Sequence, residues 1–88
     1  MAWDDLDERE YELKGALARF DWESADKICE AIIDRLPGED GRFPENKARS
    51  FLQALRRKRR FRTMGLLAQG FLESGLNAAQ IRGSTVGR

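Results

Sequence analysis

The chain has 88 residues, enough for one small domain, and 41% of them are hydrophobic while 35% are charged. This balance is typical of a globular domain and not of a disordered chain. The chain contains no histidine and one cysteine, which excludes an internal disulfide, a histidine-based catalytic triad and a Cys/His zinc site. We therefore expect a binding module and not an enzyme, with no cofactor and no metal.

The same composition bears on location. No run of apolar residues is longer than three, as in Leu66-Leu67-Ala68, so we expect no segment that crosses a membrane. The first residues, M-A-W-D-D-L-D-E, are acidic where a secretory signal would be basic and then apolar. A single cysteine suits a reducing compartment, and we expect a cytoplasmic protein.

The net charge of +1 conceals a strong polarity along the chain. Residues 1–40 carry thirteen acids and five bases, whereas residues 41–88 carry two acids and eleven bases. The densest acidic cluster is Asp4, Asp5, Asp7 and Glu8, and the densest basic cluster is Arg56, Arg57, Lys58, Arg59, Arg60 and Arg62. Separated clusters of this kind indicate interaction surfaces and do not determine the fold.

Apolar periodicity predicts two helices in the first half of the chain. The first runs from about Asp4 to Phe20 with an apolar stripe that includes Trp3 and Phe20. Gly15 within it marks a kink or a close contact with another helix. Asp21 is the expected N-cap of the second helix, which ends at Pro37-Gly38. Cys29 lies in the middle of the apolar stripe of this helix, where a small buried hydrophobe is expected.

The second half predicts two longer helices and a short one. After a loop over 38–42, Pro44 opens the third helix at a first-turn position. The apolar stripe changes phase near Arg59-Arg60, where we place a break, and the fourth helix runs from Phe61 to a stop at Gly75. A short helix over 77–81 and a frayed tail over 83–88 follow.

These elements predict an all-α fold, an antiparallel bundle of five helices, or of six if Gly15 splits the first. Residues 1–82 would form one interaction domain. The predicted core is Leu13, Leu17, Ile28, Ile32, Phe51, Leu55, Leu67 and Phe71.

The basic cluster has three interpretations. Successive cations cannot share one helix face, so they are either a solvated helix end favoured by the helix dipole, a protein-binding surface, or a phosphate-binding surface. The acidic half of the chain would repel a phosphate backbone, so we expect no tight binding to nucleic acid.

The segment from Phe43 to Gly75, with F-L-Q-A-L-R-R-K-R-R-F ahead of a helix ending L-A-Q-G-F-L-E-S-G, resembles the N-terminal helical modules of bacterial trypsin-like proteases. Those modules look like death-fold domains, close to caspase-recruitment domains, and are associated with anti-phage defence operons that encode bacterial gasdermins. The resemblance covers residues from about 11 to 82. It implies a six-helix death-fold-like bundle that recruits other helical modules, among them copies of itself, a protease or an effector.

No catalytic domain follows Arg82 in the sequence, so the resemblance implies a stand-alone adaptor or an excised domain. The main alternative is a tetratricopeptide-like pair of helical hairpins acting as a scaffold, since Ala25 and Pro37 have the spacing of that repeat's second helix. A small nucleic-acid-binding helical domain is the remaining alternative. For the adaptor, we expect oppositely charged clusters to pair between domains.

Overall fold

The computed structural model describes residues 3–36 and 43–76. Within these residues all regular structure is α-helical, in four helices: α1 (Leu6–Ala18), α2 (Trp22–Arg35), α3 (Glu45–Arg57) and α4 (Phe61–Glu73). The predicted all-α class is therefore confirmed for the described part of the chain. The predicted loop over 38–42, the short helix over 77–81 and the tail over 83–88 lie outside the described residues.

The first helix is shorter than predicted but continuous. It begins at Leu6 and ends at Ala18, so Asp4 and Phe20 both lie outside it. Gly15 does not split it, so the split that would have given a six-helix bundle does not occur. A glycine inside a helix costs at most about 1 kcal/mol relative to alanine, and the burial of Leu13 and Leu17 in the core outweighs that cost.

Two tight turns of the same kind connect α1 to α2 and α3 to α4. Phe20 and Arg59 each adopt a left-handed conformation with φ of 59°. The next residue then donates its N–H back across the helix end, from Asp21 to the Ala16 carbonyl at 2.8 Å and from Arg60 to the Leu55 carbonyl at 2.9 Å. This Schellman pattern satisfies the last carbonyls of the helix and reverses the chain within a short turn.

The predicted helix signals near the other ends are largely confirmed. Asp21 caps α2, accepting hydrogen bonds from the Ser24 N–H at 3.2 Å and the Ser24 hydroxyl at 2.8 Å. Gly75 ends α4 with φ of 109°. Pro44 immediately precedes α3 as its N-cap, one position earlier than predicted, and Glu45 is the first helical residue.

Each turn produces an antiparallel helical hairpin. At the open end of the first hairpin, Arg35 near the end of α2 contacts Asp5 just before α1. At the open end of the second, Phe43 before α3 stacks on Phe71 near the end of α4, with ring centroids 4.7 Å apart. The predicted antiparallel packing therefore holds within each hairpin.

The two hairpins lie side by side with equivalent helices running in the same direction. Lys47 near the start of α3 contacts Glu10 in the first half of α1, and Thr63 near the start of α4 contacts Asp26 near the start of α2. Each helix of the second hairpin also begins the same number of residues after its counterpart in the first: α3 after α1, and α4 after α2. The described chain is thus a structural repeat of one helical hairpin.

Both hairpins contribute to one apolar core. Seven of the predicted core residues are buried: Leu13, Leu17, Ile32, Phe51, Leu55, Leu67 and Phe71. Ile28 is only partly buried because it borders a surface groove between α1 and α2. Phe43, outside any helix, completes the core through ring contacts to Trp3, Phe51 and Phe71.

Truncating a core residue should destabilise this domain strongly. Ile32 is 1% exposed, so Ile32→Ala should lower the free energy of unfolding by about 2–5 kcal/mol through lost burial and the resulting cavity. Leu66→Ala, at an exposed position of α4, should change it by less than about 0.5 kcal/mol. Urea unfolding followed by circular dichroism measures both, and a loss for Ile32→Ala no larger than that for Leu66→Ala would contradict the assigned core.

Candidate protein-interaction site

The basic cluster predicted from the sequence forms the turn between α3 and α4, here called the basic ridge: Arg56, Arg57, Lys58, Arg59, Arg60 and Arg62. Its shape follows from the main chain, since the left-handed residue Arg59 separates the end of α3 from the start of α4. A non-glycine residue in this conformation costs roughly 1–2 kcal/mol, and burial of Leu55 and Leu67 on either side of the turn offsets it. The ridge is therefore a rigid element.

Two members of the ridge hold the hairpins together. The Arg60 guanidinium lies over the Trp22 ring at 4.8 Å, and its Nη2 lies 3.4 Å from an Asp26 carboxylate oxygen. The Lys58 ammonium lies over the Phe20 ring at 4.9 Å. These contacts assign Arg60 and Lys58 to the inside of the ridge, where they act between the two hairpins.

The other four members point into solvent. Arg56, Arg57, Arg59 and Arg62 are exposed, and none forms an ion pair with another described residue. Four guanidinium groups on one rigid turn concentrate positive charge at this end of the molecule. Each of them is available to a carboxylate on another molecule.

Two aromatic side chains lie beside these arginines. Phe20 is 65% exposed and Phe61 is 55% exposed, and neither belongs to the predicted core, although the predicted apolar stripe of the first helix includes Phe20. Phe20 is exposed because it occupies the left-handed turn residue, which directs it out of the α1 stripe, and Phe61 is the first residue of α4. The basic ridge therefore has apolar surface within it, which charge patterning alone did not reveal.

The acidic cluster lies at the opposite end of the helices and is mostly engaged within the chain. Asp5 accepts hydrogen bonds from Arg9 at 3.2 Å and from Arg35 at 3.0 and 3.1 Å. Burial raises the pKa of Asp5, but these hydrogen bonds outweigh it and lower the pKa overall. Asp7 contacts Lys47 and Asp4 also has an interaction within the chain, whereas Glu8 is exposed.

Glu10, which the sequence did not single out, forms the best-connected carboxylate of the described residues. Its two oxygens accept hydrogen bonds from Lys47 at 2.7 Å and from the Ser50 hydroxyl, and Lys14 lies 3.1 Å away. The hydrogen bonds from Lys47 and Ser50 lower the pKa of Glu10 to about 2. Glu10 thereby joins α1 to α3 in the way that Asp26 joins α2 to α4.

The described residues contain no group of side chains that could form a metal site. No group of three acidic or cysteine side chains within 3–36 and 43–76 could hold a metal ion. Cys29 is fully buried, and burial raises the pKa of its thiol to about 12, so it is not a reactive thiolate. None of α1 to α4 has the length and apolar content needed to cross a bilayer.

Comparisons of the chain with protein-family models, with curated proteins and with solved structures found no match.

The Glu10 network should make stability depend on pH. The pKa of Glu10 is lower in the folded state than its ordinary value of 4.5, so its stabilisation is complete above that pH and is lost as pH falls towards 2. Glu10→Gln should lower the free energy of unfolding by about 1–2 kcal/mol at neutral pH, because the charge-assisted bond to Lys47 is lost. Urea unfolding at several pH values should show this difference shrinking between pH 4.5 and 2.

The matched control is Glu23→Gln. Glu23 is exposed and its carboxylate lies 3.8 Å from Lys27 on the same helix, so the substitution should change the free energy of unfolding by less than about 0.5 kcal/mol. An equal effect of the two substitutions, or a Glu10→Gln effect that does not vary with pH, would contradict the assigned network.

Proposed function

We propose that the chain is a non-enzymatic protein-interaction adaptor that binds an acidic surface of a partner protein through the basic ridge. The observation that carries this proposal is the set of four exposed arginines, Arg56, Arg57, Arg59 and Arg62, without partners among the described residues. The negative end of a helix dipole amounts to only about half an elementary charge. Four arginines exceed that charge and suit a surface that meets carboxylates elsewhere.

The aromatic side chains within the ridge support a protein partner. Arginine and large aromatic residues are the side chains that dominate binding at protein interfaces, and Phe20 and Phe61 provide apolar contact area between the cations. An exposed ion pair contributes about 0–1 kcal/mol by itself. Several arginines on one turn around apolar anchors would contribute together, although ordering each exposed arginine side chain on binding costs about 0.5–1.5 kcal/mol.

The partners that we propose are other helical modules, including copies of this chain, a protease or an effector. The resemblance to modules of bacterial defence systems supports this choice, and a death-fold-like role in such a system remains part of the proposal. The repeated hairpin supports a second form of it, the tetratricopeptide-like scaffold, because equivalent helices pack side by side in the same direction. In both forms the molecule binds protein and performs no chemistry.

Charge reversal on the ridge tests the adaptor. Arg57→Glu combined with Arg62→Glu should abolish capture of the partner by the immobilised chain, because it replaces two attractive contacts with repulsive ones. Arg60 is left unchanged, since its contacts with Trp22 and Asp26 hold the hairpins together. Quantitative mass spectrometry of proteins captured from the source cells measures the loss, and circular dichroism checks that helicity is retained.

The control reverses the same number of charges elsewhere. Asp34→Lys with Glu73→Lys changes two exposed charges near the ends of α2 and α4, at the other end of the helices from the ridge, and should leave capture intact. A partner that binds the ridge variant as well as it binds the unaltered chain would show that the ridge is only a solvated helix end.

Nucleic acid should not be the tight-binding partner. Exposed acids such as Glu8, Glu12 and Glu30 remain on the first hairpin, and the net charge of the whole chain is only +1. A gel-shift titration with single- and double-stranded DNA and RNA at physiological salt should show no sub-micromolar binding. Affinity in that range, falling steeply as salt is raised, would replace the protein partner with a phosphate backbone.

A further inference from the structure

Where the second hairpin packs on the first, one stripe of residues on α2 forms the surface that contacts α4. Trp22, Asp26, Cys29 and Ile33 follow one another at helical spacing on this stripe, and α4 covers it. Arg60 stacks on Trp22, and the Thr63 hydroxyl donates to Asp26 at 2.8 Å. Towards the ends of both helices, α4 approaches α2 so closely that a Cβ on Gly70 would lie 3.6 Å from Ile33 and 3.1 Å from Leu36.

The same stripe recurs at the equivalent positions of α4, where it has no cover among the described residues. Its members are Phe61, Gly65, Ala68 and Leu72, the equivalents of Trp22, Asp26, Cys29 and Ile33. Phe61 is 55% exposed and Leu72 is 41% exposed, and a Cβ added to Gly65 would have no atom within 4 Å. Gly65, the partly buried Ala68 and Leu72 thus form a stripe on the side of α4 that is turned away from α2, and Phe61 at its start also borders the cleft between α2 and α4.

The outer side of the first hairpin carries the residue types that would fit this stripe. On α4, the side that packs against α2 carries Thr63, Leu67 and Gly70. Their equivalents on α2 are Ser24, Ile28 and Ala31: again a hydroxyl, a branched aliphatic and a small residue.

Two of these residues, Ser24 and Ile28, line a shallow groove of about 670 Å³ between α1 and α2. Gly15 of α1 lines the same groove. The outer side of the first hairpin is therefore indented, and it can receive a convex apolar stripe.

The charges of the two outer faces are also complementary. Within the molecule, an acid on α1 meets a base on α3, Glu10 with Lys47 at 2.7 Å. The equivalent positions on the outer faces are Arg49 on α3 and Glu8 on α1. Both signs are reversed, so the pair remains attractive when one molecule's second hairpin meets another molecule's first hairpin, where Glu8 would add to the interaction that Arg49 already has within its own molecule.

We propose that the outer face of α3 and α4 binds the first hairpin of a second copy of this chain, which continues the hairpin stack from one molecule to the next. The inference rests on the proposed adaptor function, with a copy of the chain as the partner. Because the two faces differ, the contact is heterologous and leaves a free face at each end, so assembly is open-ended and depends on concentration. Within the molecule, Lys58 contacts Phe20, and the equivalent residues in the contact between two copies are Arg19 of one and Arg59 of the other. The repulsion between these two like charges keeps each contact weak.

Single substitutions on the two faces test the stack. Leu72→Glu places a carboxylate in the α4 stripe and should raise the dissociation constant at least about tenfold. The matched control is Leu66→Glu on the same helix, 57% exposed but lining the cleft between α2 and α4, which should leave association unchanged. Ala31→Arg blocks the opposite face, because at the equivalent position a Cβ on Gly70 would already lie 3.1 Å from Leu36, which leaves no room for an arginine side chain.

Sedimentation velocity of the purified full chain provides the measurement. The weight-average mass of the unaltered chain should rise with concentration, while Leu72→Glu and Ala31→Arg should each remain near the monomer mass of 10.1 kDa. An equimolar mixture of these two variants should form dimers and nothing larger, because each variant keeps one intact face. Circular dichroism of each variant verifies its fold.

Three outcomes would overturn the stack: an unaltered chain that stays monomeric up to about 1 mM, equal losses for Leu66→Glu and Leu72→Glu, or a variant mixture that forms no dimer. None of these substitutions changes an arginine of the basic ridge. A monomeric chain that still captures a partner through the ridge would therefore remove the stack and leave the proposed adaptor function standing.

Discussion

The tight turn after α1 and after α3 is the constraint on which the rest of the molecule depends. Its left-handed residue, Phe20 or Arg59, lets the following N–H return to a carbonyl in the last turn of the helix, which fixes the direction of the next helix. The two hairpins that result are equivalent, and equivalent helices can then lie side by side. The turn at Arg59 also places the basic ridge at one end of the molecule, so the candidate interaction surface is a consequence of the fold.

The charge polarity of the chain contributes to packing within the molecule, because oppositely charged residues pair between the two hairpins. Among the described residues, acids of the first hairpin meet bases of the second around Lys47, which contacts Glu10 and Asp7, and around Arg60, which contacts Asp26. These bonds fix which hairpin face meets which, while the apolar core contributes the larger part of the stabilisation. What remains after this internal pairing is unequal: most of the acidic cluster is engaged, whereas four arginines of the ridge are exposed. The exposed surface at the turn between α3 and α4 is therefore mainly basic.

Repetition explains both what is buried and what is exposed. A residue at a given position of the first hairpin is covered because the second hairpin lies on it, and the equivalent residue of the second hairpin has nothing on it among the described residues. Cys29 is fully buried whereas its equivalent Ala68 is only partly buried, and Ile33 is partly buried whereas Leu72 is exposed. Stacked repeats generally leave such a face at their ends.

The sequence by itself determined the local features: four helices, the Asp21 cap, the stop at Gly75, the break near Arg59 and seven buried core residues. These depend on periodicity and on residues with strong local preferences, which act within one or two turns of chain. Only the tertiary structure decided that Gly15 leaves α1 intact, that Phe20 and Phe61 are exposed, and that Arg60 and Lys58 face inwards. Those outcomes depend on which helix lies beside which. The pairing of the two hairpins determines which helix lies beside which. The hairpins are distant in the chain, so no local pattern in the sequence predicts this pairing.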